Sequence, residues 1–436
     1  MLGLIMFVVC LGLLLFGFPV AFTFGGAAVV FGLISDPSMF DMMPHRIWAV
    51  MNNTILMAIP LFIFMGIILQ KSKLAEKLLE SMGFLFGEVR GGIAISTILV
   101  GALLAASTGV VGASVVAMGV ISLPVMLKYN YDKKLATGSI CAAGTLGQII
   151  PPSIVLIILG DVFQVPVGDL FLAAFWPGLS LVLFYVIYIL IMAYIKEDIA
   201  PPVRLEGADL GTKPQQVGRA LKAILPPLIL IIIVLGSILF GVATPTESSA
   251  VGGIGAIILA GMYKQLSVKM VWDSSLETIK ITSMVFAILV GATAFSMVFT
   301  YTGGDYVVED FMMALPGEKW GFLILSMLAI MALGFFIDFV EISYIIVPIL
   351  APIAYNLGIN PVWYAILVAM NLQTSFLTPP FGFSLFYLKG VSPPEVRTID
   401  IYRGVVPFIA IQVFVLVILI VWPELFGISS VITNSY

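Results

Sequence analysis

Charge is what this chain has least of. Of 436 residues, 20 are Lys or Arg and 24 are Asp or Glu, a tenth of the sequence, where a soluble domain carries about a quarter. There are two cysteines and one histidine. Cys10 and Cys141 lie in apolar stretches and read as buried small residues, so neither a disulfide framework nor a metal framework is indicated. His45, beside Arg46, reads as a solvated loop residue. No Gly-x-x-x-x-Gly-Lys-Ser/Thr loop occurs, and no polar segment is long enough to fold into an ATP-holding domain. Any work the protein does must draw on an ion gradient. No nucleic-acid partner is expected.

What is abundant is apolar surface. Hydrophobic residues make up 61% of the chain, and apolar runs of membrane length recur from end to end. This is the composition of a polytopic α-helical protein embedded in a lipid bilayer. The start, Met-Leu-Gly-Leu-Ile-Met, has no basic n-region and no small-residue cleavage site, and reads as a retained membrane segment.

Two of the apolar runs are interrupted by Pro-Pro: Gly144-Thr-Leu-Gly-Gln-Ile-Ile-Pro-Pro-Ser153 and Asn371-Leu-Gln-Thr-Ser-Phe-Leu-Thr-Pro-Pro380. Paired prolines remove two donors and oppose the helix that would run through them. Unmet carbonyls at membrane depth cost several kcal/mol each, so broken helices persist only where protein, water or an ion meets the backbone. Matching breaks in two halves of a chain point to a transport site.

Read in order, residues 2–34 form either one tilted helix or two short ones divided at Gly17-Phe-Pro19. A helix is expected from about Trp48 to Gln70, interrupted near Pro60. Residues 71–90 suit an amphipathic segment on the membrane surface. The stretch 91–127 reads as a re-entrant hairpin with its tip near Ser107–Ser114, followed by a broken helix over about 135–160. Helices follow near 170–195, 223–241, 248–263 and 274–302, then an acidic loop over 305–318. Residues 321–352 repeat the hairpin, with a tip at Gly334–Glu341. A second broken helix (361–388) and a last helix (403–425) close the chain. Trp48, Trp272, Trp320 and Trp363 fall near helix ends, as interfacial anchors do.

Basic residues test this layout, because Lys and Arg favour cytoplasmic loops. With both hairpins re-entrant, only Arg46 and Lys319 of the 20 basic residues fall outside. Reading either hairpin as a full crossing inverts every later loop and destroys the pattern. The first hairpin then opens inward and the second outward, which is an inverted repeat. Pro124…Tyr129-Asn130 and Pro348…Tyr355-Asn356 echo one another ahead of the two breaks.

The tips and breaks offer oxygen from Ser107, Thr108, Thr145, Gln373, Thr374 and Thr378, and no Lys or Arg. Helix N-termini there suit an anion, and unwound carbonyls suit Na⁺. Asp338 and Glu341 are the only acids placed at membrane depth, three apart and so on one face of a helical turn. They are candidates for cation coordination or proton coupling.

The Gly147-Gln-Ile-Ile-Pro-Pro-Ser-Ile154 stretch, the tip at 107–114 and Gln373–Pro380 resemble the large membrane subunit of tripartite ATP-independent periplasmic (TRAP) transporters. Leu15-Phe-Gly-Phe-Pro-Val-Ala-Phe22 and Ile59-Pro-Leu-Phe-Ile-Phe64 fit the same pattern, and the likeness covers essentially the whole chain. The resemblance implies an all-α, inverted-repeat, elevator-type transporter of the bacterial inner membrane, not an enzyme. It would be a Na⁺-coupled secondary importer of an organic acid, working with a small four-helix membrane (Q) subunit and a periplasmic substrate-binding (P) protein. Carried over residue by residue, one Na⁺ site falls on Ser107, Gly112, Thr145, Gly147 and Ile150. A second falls on Gly334, Asp338, Glu341, Gln373, Thr374 and Thr378. Substrate falls between the tips, on Ser107, Thr108, Ser114, Thr378, Pro379 and Pro380. Na⁺ ions are expected, with no organic cofactor, and H⁺ coupling stays open. The first tip departs from the Ser-x-Ser pattern of the family, since apolar Val110-Val111 follow Ser107-Thr-Gly.

The implied division is 1–90 scaffold and amphipathic arm, 91–170 first transport repeat, 171–302 scaffold and connecting arm, 303–390 second transport repeat, and 391–436 a C-terminal helix. The rival readings are a stand-alone Na⁺- or H⁺-coupled dicarboxylate carrier, a channel, and an intramembrane enzyme with Asp338 and Glu341 as paired acids. The last lacks any further catalytic group.

Overall fold

The computed structural model describes residues 2–109, 111–203 and 213–428. Every regular element among them is helical. In chain order these are α1 (Leu2–Leu15), α2 (Val20–Ser35), α3 (Met43–Met51), α4 (Ala58–Lys71), α5 (Leu74–Phe86), α6 (Gly92–Thr108) and α7 (Val111–Lys128). Then come α8 (Lys133–Thr145), α9 (Ile154–Phe163), α10 (Val167–Ile195), α11 (Lys213–Leu239), α12 (Pro245–Met262), α13 (Val268–Tyr301) and α14 (Gly304–Met313). The chain ends with α15 (Lys319–Leu333), α16 (Phe339–Glu341), α17 (Val347–Asn356), α18 (Pro361–Leu377), α19 (Phe383–Val391) and α20 (Thr398–Val421). A π turn, Ile342–Ile346, makes α16 and α17 one continuous run.

The opening stretch is two helices. Gly17 turns the chain at φ +83°, a backbone that glycine adopts without strain, and Pro19 then caps α2. Phe24 of α2 stacks edge-on against Phe295 of α13, with ring centroids 4.9 Å apart. The interruption expected near Pro60 lies earlier, at 52–57. Pro60 itself sits in the first turn of α4, where a missing N–H costs nothing. His45 is exposed on α3, a helix where a loop was expected. The 71–90 stretch is amphipathic as expected: Leu74, Leu78, Leu79 and Met82 of α5 are buried while Glu76, Lys77 and Glu80 are exposed, and α5 bends 57° away from α4. The acidic loop over 305–318 is mostly α14. Trp363 is buried and donates Nε1–H to Leu419 O at 3.0 Å, so it is no interfacial anchor, whereas Trp48, Trp272 and Trp320 are exposed.

Both hairpins and both broken helices are present. The α6–α7 hairpin turns at Gly109 (φ +61°), whose N–H bonds Ala105 O at 3.0 Å. α15 and the α16–α17 run form the second hairpin, turning over Gly334–Ile337. α8 and α9 are the halves of the first broken helix, α18 and α19 of the second, and each break carries a cis Pro–Pro peptide.

The helices pack as two groups. α8 and α18 lie at the centre of the first, with Leu135–Thr145 and Val362–Leu377 wholly buried. α6, α7, α9, α15 and α19 surround them, and α20 lies along α8. The sequence division places α10 with the scaffold of 171–302, yet α10 packs on α6, α9, α18 and α20. The 29-residue α10 presents Leu170, Ala174, Leu181, Tyr185 and Ile189 as a buried stripe at helical spacing, which joins it to this group. α20 is likewise part of the group and not a separate terminal element. The second group is α2, α4, α12 and α13, with α5 and α11 beside it.

Candidate functional site

Side-chain hydroxyls meet carbonyls that the breaks free. At the first break Ser153 Oγ donates to Gln148 O at 2.6 Å and caps α9 by accepting the Leu156 N–H at 3.5 Å. At the second, Ser384 Oγ donates to Phe376 O at 2.9 Å, Thr378 Oγ1 to Thr374 O at 2.7 Å, and the Tyr402 hydroxyl to Pro380 O at 2.8 Å. A membrane-depth break is thereby satisfied by protein.

The hairpins close against these breaks at glycines. A Cβ on Gly147 would lie 3.0 Å from Ala105 O of α6, and one on Gly334 would overlap Ser375 Oγ of α18. At the second tip Asp338 is the N-cap of α16, its Oδ1 accepting the Phe339 N–H at 2.6 Å. Phe336 and Phe339 pack on Phe381 and Phe376, with centroids 5.2 and 5.9 Å apart.

A cavity of about 390 Å³ lies where the two helix groups meet. Val111, Gly112 and Ala113 of the first tip line it, as do Asp338, Phe339 and Val340 of the second. Val116, Ile154, Phe376 and Tyr387 complete that wall. The opposite wall is α4 and α13, through Ile63, Gln70, Glu277 and Met284. Gln70 Nε2 reaches Ala113 O at 3.4 Å across the cavity, and Glu277 pairs with Lys71 at 2.9 Å. Val111, Ile154 and Phe339 are the first residues of α7, α9 and α16, so three helix N-termini open onto one space.

Of the residues singled out from sequence, Gly112 and Asp338 line this cavity. Thr145, Gly147 and Ile150 lie at the first break, Thr374 and Thr378 at the second and Gly334 at the second tip, and none of them is among the residues that line the cavity. The Thr145 and Thr374 hydroxyls donate to Ala142 O and Met370 O, at 3.0 and 2.8 Å. Gln373 is fully buried with neither amide atom partnered, and Glu341, 5% exposed, leaves Oε2 unpartnered. Unmet buried polar atoms cost about 1–3 kcal/mol each; oxygens in that condition fit a hard cation that wants oxygen ligands. Ser114 is buried within α7. Pro380 is exposed and its carbonyl is taken by Tyr402, and neither it nor Pro379 lines the cavity. The side chains of Ser107 and Thr108, and Val110, lie outside the described residues.

Sequence reasoning missed the far wall. Gln70, Lys71 and Glu277 read as parts of a surface arm and a long helix, and no spacing joins them to the tips. It missed Gln148, fully buried with its amide unpartnered, and Tyr387, whose ring lies against Gly112. It also missed Asp161, an acid near the end of α9 that accepts from Asn53 Nδ2 at 2.6 Å. The signal was an acid in the otherwise apolar run Ile154–Phe163, but the expected helix ended one residue short of it.

The family model described as "Tripartite ATP-independent periplasmic transporter, DctM component" matches residues 7–425. The C4-dicarboxylate TRAP transporter large permease protein DctM of Pseudomonas aeruginosa is 31% identical over 389 residues, covering 88% of each chain. The isethionate TRAP transporter permease protein DctMQ of Oleidesulfovibrio alaskensis is 29% identical over 93% of this chain and 62% of its own length. The sialic acid TRAP transporter large permease protein SiaM of Vibrio cholerae is 26% identical over 95% of each. Among solved structures, the Alcanivorax borkumensis YdaH transporter superposes with a TM-score of 0.65 at 13% identity, over 97% of this chain and 98% of its own. That likeness is one of fold. The named relatives are transporter permeases, not enzymes, and this chain, a multi-pass membrane protein, belongs to the DctM component family of tripartite ATP-independent periplasmic transporters.

Proposed function

We propose that the chain is the large membrane subunit of a Na⁺-coupled importer of organic acids in the bacterial inner membrane. It works with a small four-helix membrane subunit and a periplasmic substrate-binding protein. The observation that carries this reading is the cavity framed by both hairpin tips on one side and by α4 and α13 on the other. The acids in the relatives' names support an anionic cargo, and the joined DctMQ designation of the isethionate relative supports a small-subunit partner.

The chemistry follows from the groups present. The N-terminus of α7 offers N–H groups and a positive dipole end to a carboxylate, while Ser153 and Asp338 already cap α9 and α16. Asp338 on the same wall opposes it. Two like charges 4 Å apart repel by about 4 kcal/mol at an effective dielectric of 20. Cargo therefore binds well only after Na⁺ has neutralised the wall. One ion would be held by Ser107, Gly112, Thr145, Gly147 and Ile150, largely through backbone oxygens. Another would be held by Gly334, Asp338, Glu341, Gln373, Thr374 and Thr378. Coupling results if the hairpin group crosses only when fully loaded or empty. The hairpin group packs as a unit around α8 and α18, and this supports an elevator-type displacement of that unit past α4 and α13.

Uptake into proteoliposomes tests the proposal. They should hold this chain and its small subunit, receive binding protein loaded with a labelled acid, and carry a Na⁺ or a H⁺ gradient. Uptake requiring Na⁺ and binding protein, and lost in Asp338→Asn, is expected. Uptake without binding protein would make this a stand-alone carrier. Uptake driven by H⁺ alone would remove Asp338 from the sodium site.

A further inference from the structure

We propose that the cargo is a monocarboxylate with an apolar, ring-sized body, and not a dicarboxylate or a polyhydroxylated acid. This rests on reading the cavity as the cargo site. The wall belonging to the hairpin group would travel with the cargo, so its chemistry must suit the cargo in every conformation. That wall is Val111, Val116, Ile154, Phe339, Val340 and Phe376, with the Tyr387 ring beside them. Tyr387 is 42% exposed, and its ring covers Gly112 so closely that a Cβ there would lie 2.9 Å from it. Two phenylalanines and a tyrosine from three separate elements thus face one space.

Charge decides how many carboxylates can enter. The only charged side chain on that wall, among the described residues, is Asp338. Across the cavity Gln70 and Glu277 are the polar groups, and Glu277 holds the nearby Lys71 at 2.9 Å. Among the described residues no cationic side chain lines the space. One carboxylate can be met by the N-terminus of α7, since Ser153 and Asp338 already cap α9 and α16. A second, at the far end of the cargo, would lie among valine, isoleucine and phenylalanine with nothing to replace its water, and an unpaired buried charge is strongly unfavourable. A chain of hydroxyls fares little better, since among the described residues Gln70 and the Tyr387 hydroxyl are the only neutral polar side-chain groups lining the cavity. An aromatic ring gains instead, because it buries about 150–250 Å² of surface and packs favourably on other rings. The volume of about 390 Å³ sits toward the small end of ligand pockets, which run from about 300 to 1,000 Å³.

The test is ligand-induced thermal stabilisation of the purified complex of this chain with its small subunit. Binding protein is left out so that its selectivity does not enter. Phenylacetate, succinate and N-acetylneuraminate are titrated in NaCl and in choline chloride. Phenylacetate is expected to stabilise the complex only in NaCl, with an apparent Kd at least tenfold below that of succinate. Phe339→Ser and Tyr387→Ser should each weaken it at least tenfold. A preserved stabilisation by NaCl alone shows that the variants are folded. Tighter binding of succinate or N-acetylneuraminate would overturn the inference and leave the cavity as the cargo site. If no acid stabilises the complex, and both variants take up binding-protein-delivered cargo at the unaltered rate, the cavity is not the cargo site and both readings fall.

Discussion

At the scale of single residues, the decisive positions are those where a side chain is absent. Gly138 of α8 faces Gly404 of α20 so closely that an added Cβ would overlap the Gly404 carbonyl oxygen, and backbone cannot move aside as a side chain can. Gly138→Ala is expected to cost about 1–3 kcal/mol by overpacking, read as a lowered unfolding temperature of the purified protein. Gly26→Ala, with nothing within 4 Å of its Cβ, should leave that temperature unchanged or slightly raised; equal behaviour of the two would refute the packing argument. At Asp338, replacement by Asn keeps an N-cap for α16, since Asn caps as well as Asp. The variant should therefore stay folded while its apparent Na⁺ affinity falls at least tenfold, measured by Na⁺-dependent stabilisation. An unfolded Asp338→Asn would mean that the carboxylate serves the fold first. Asp338 was legible from sequence because acids are rare at membrane depth. Gly138 was not, because nothing in one sequence says which of 41 glycines faces backbone.

At the scale of elements, the bond between Asn53 and Asp161 joins the two helix groups. Asn53 Oδ1 also accepts the N–H groups of Ile55 and Leu56 at 3.0 and 3.4 Å, which presents its Nδ2 to Asp161 at 2.6 Å. A hydrogen bond to a charged group is worth about 1.5–3 kcal/mol. Asp161→Ala should thus shift the population away from the present arrangement roughly 10- to 100-fold. Cysteines replacing Ile63 and Ile154, on opposite walls of the cavity, report this as a drop in crosslinking yield. An unchanged yield would show that the bond holds nothing in place. The elements also show where pattern reading stops. Pro226-Pro227 lies within the continuous α11, whereas Pro151-Pro152 and Pro379-Pro380 end their helices. The dipeptide is the same in all three, so Pro-Pro alone does not tell a break from a continuous helix; hydroxyls meet freed carbonyls in each case, Ser153 and Ser384 at the breaks and Tyr263 at Ala223 O in α11.

At the scale of the whole molecule, the sidedness of every loop follows from one count of basic residues. It gives a direct prediction in a variant whose buried Cys10 and Cys141 are replaced by alanine. A membrane-impermeant maleimide should label Lys73→Cys, between α4 and α5, and Tyr129→Cys, at the end of α7, both only from inside. Labelling of the two from opposite sides would mean that the hairpin between them crosses fully. The two-group packing bears on the same scale. α10 and α20 read from sequence as ordinary spanning helices, since long apolar runs carry no address. Their buried stripes assign them to the group around α8 and α18 only once the partners are in place.

The sequence by itself determined the class, the two hairpins, the two breaks and the rare acid at a tip. Each of these is a local departure from an apolar background, and in a membrane every departure has to be compensated. Only the tertiary structure decided what faces the tips. Gln70 and Glu277 lie on separate helices 207 residues apart in number, and Tyr387 comes from the opposite repeat to Gly112. Such a wall is set by which helix lies against which, and contacts of that kind leave no periodicity in the chain that makes them.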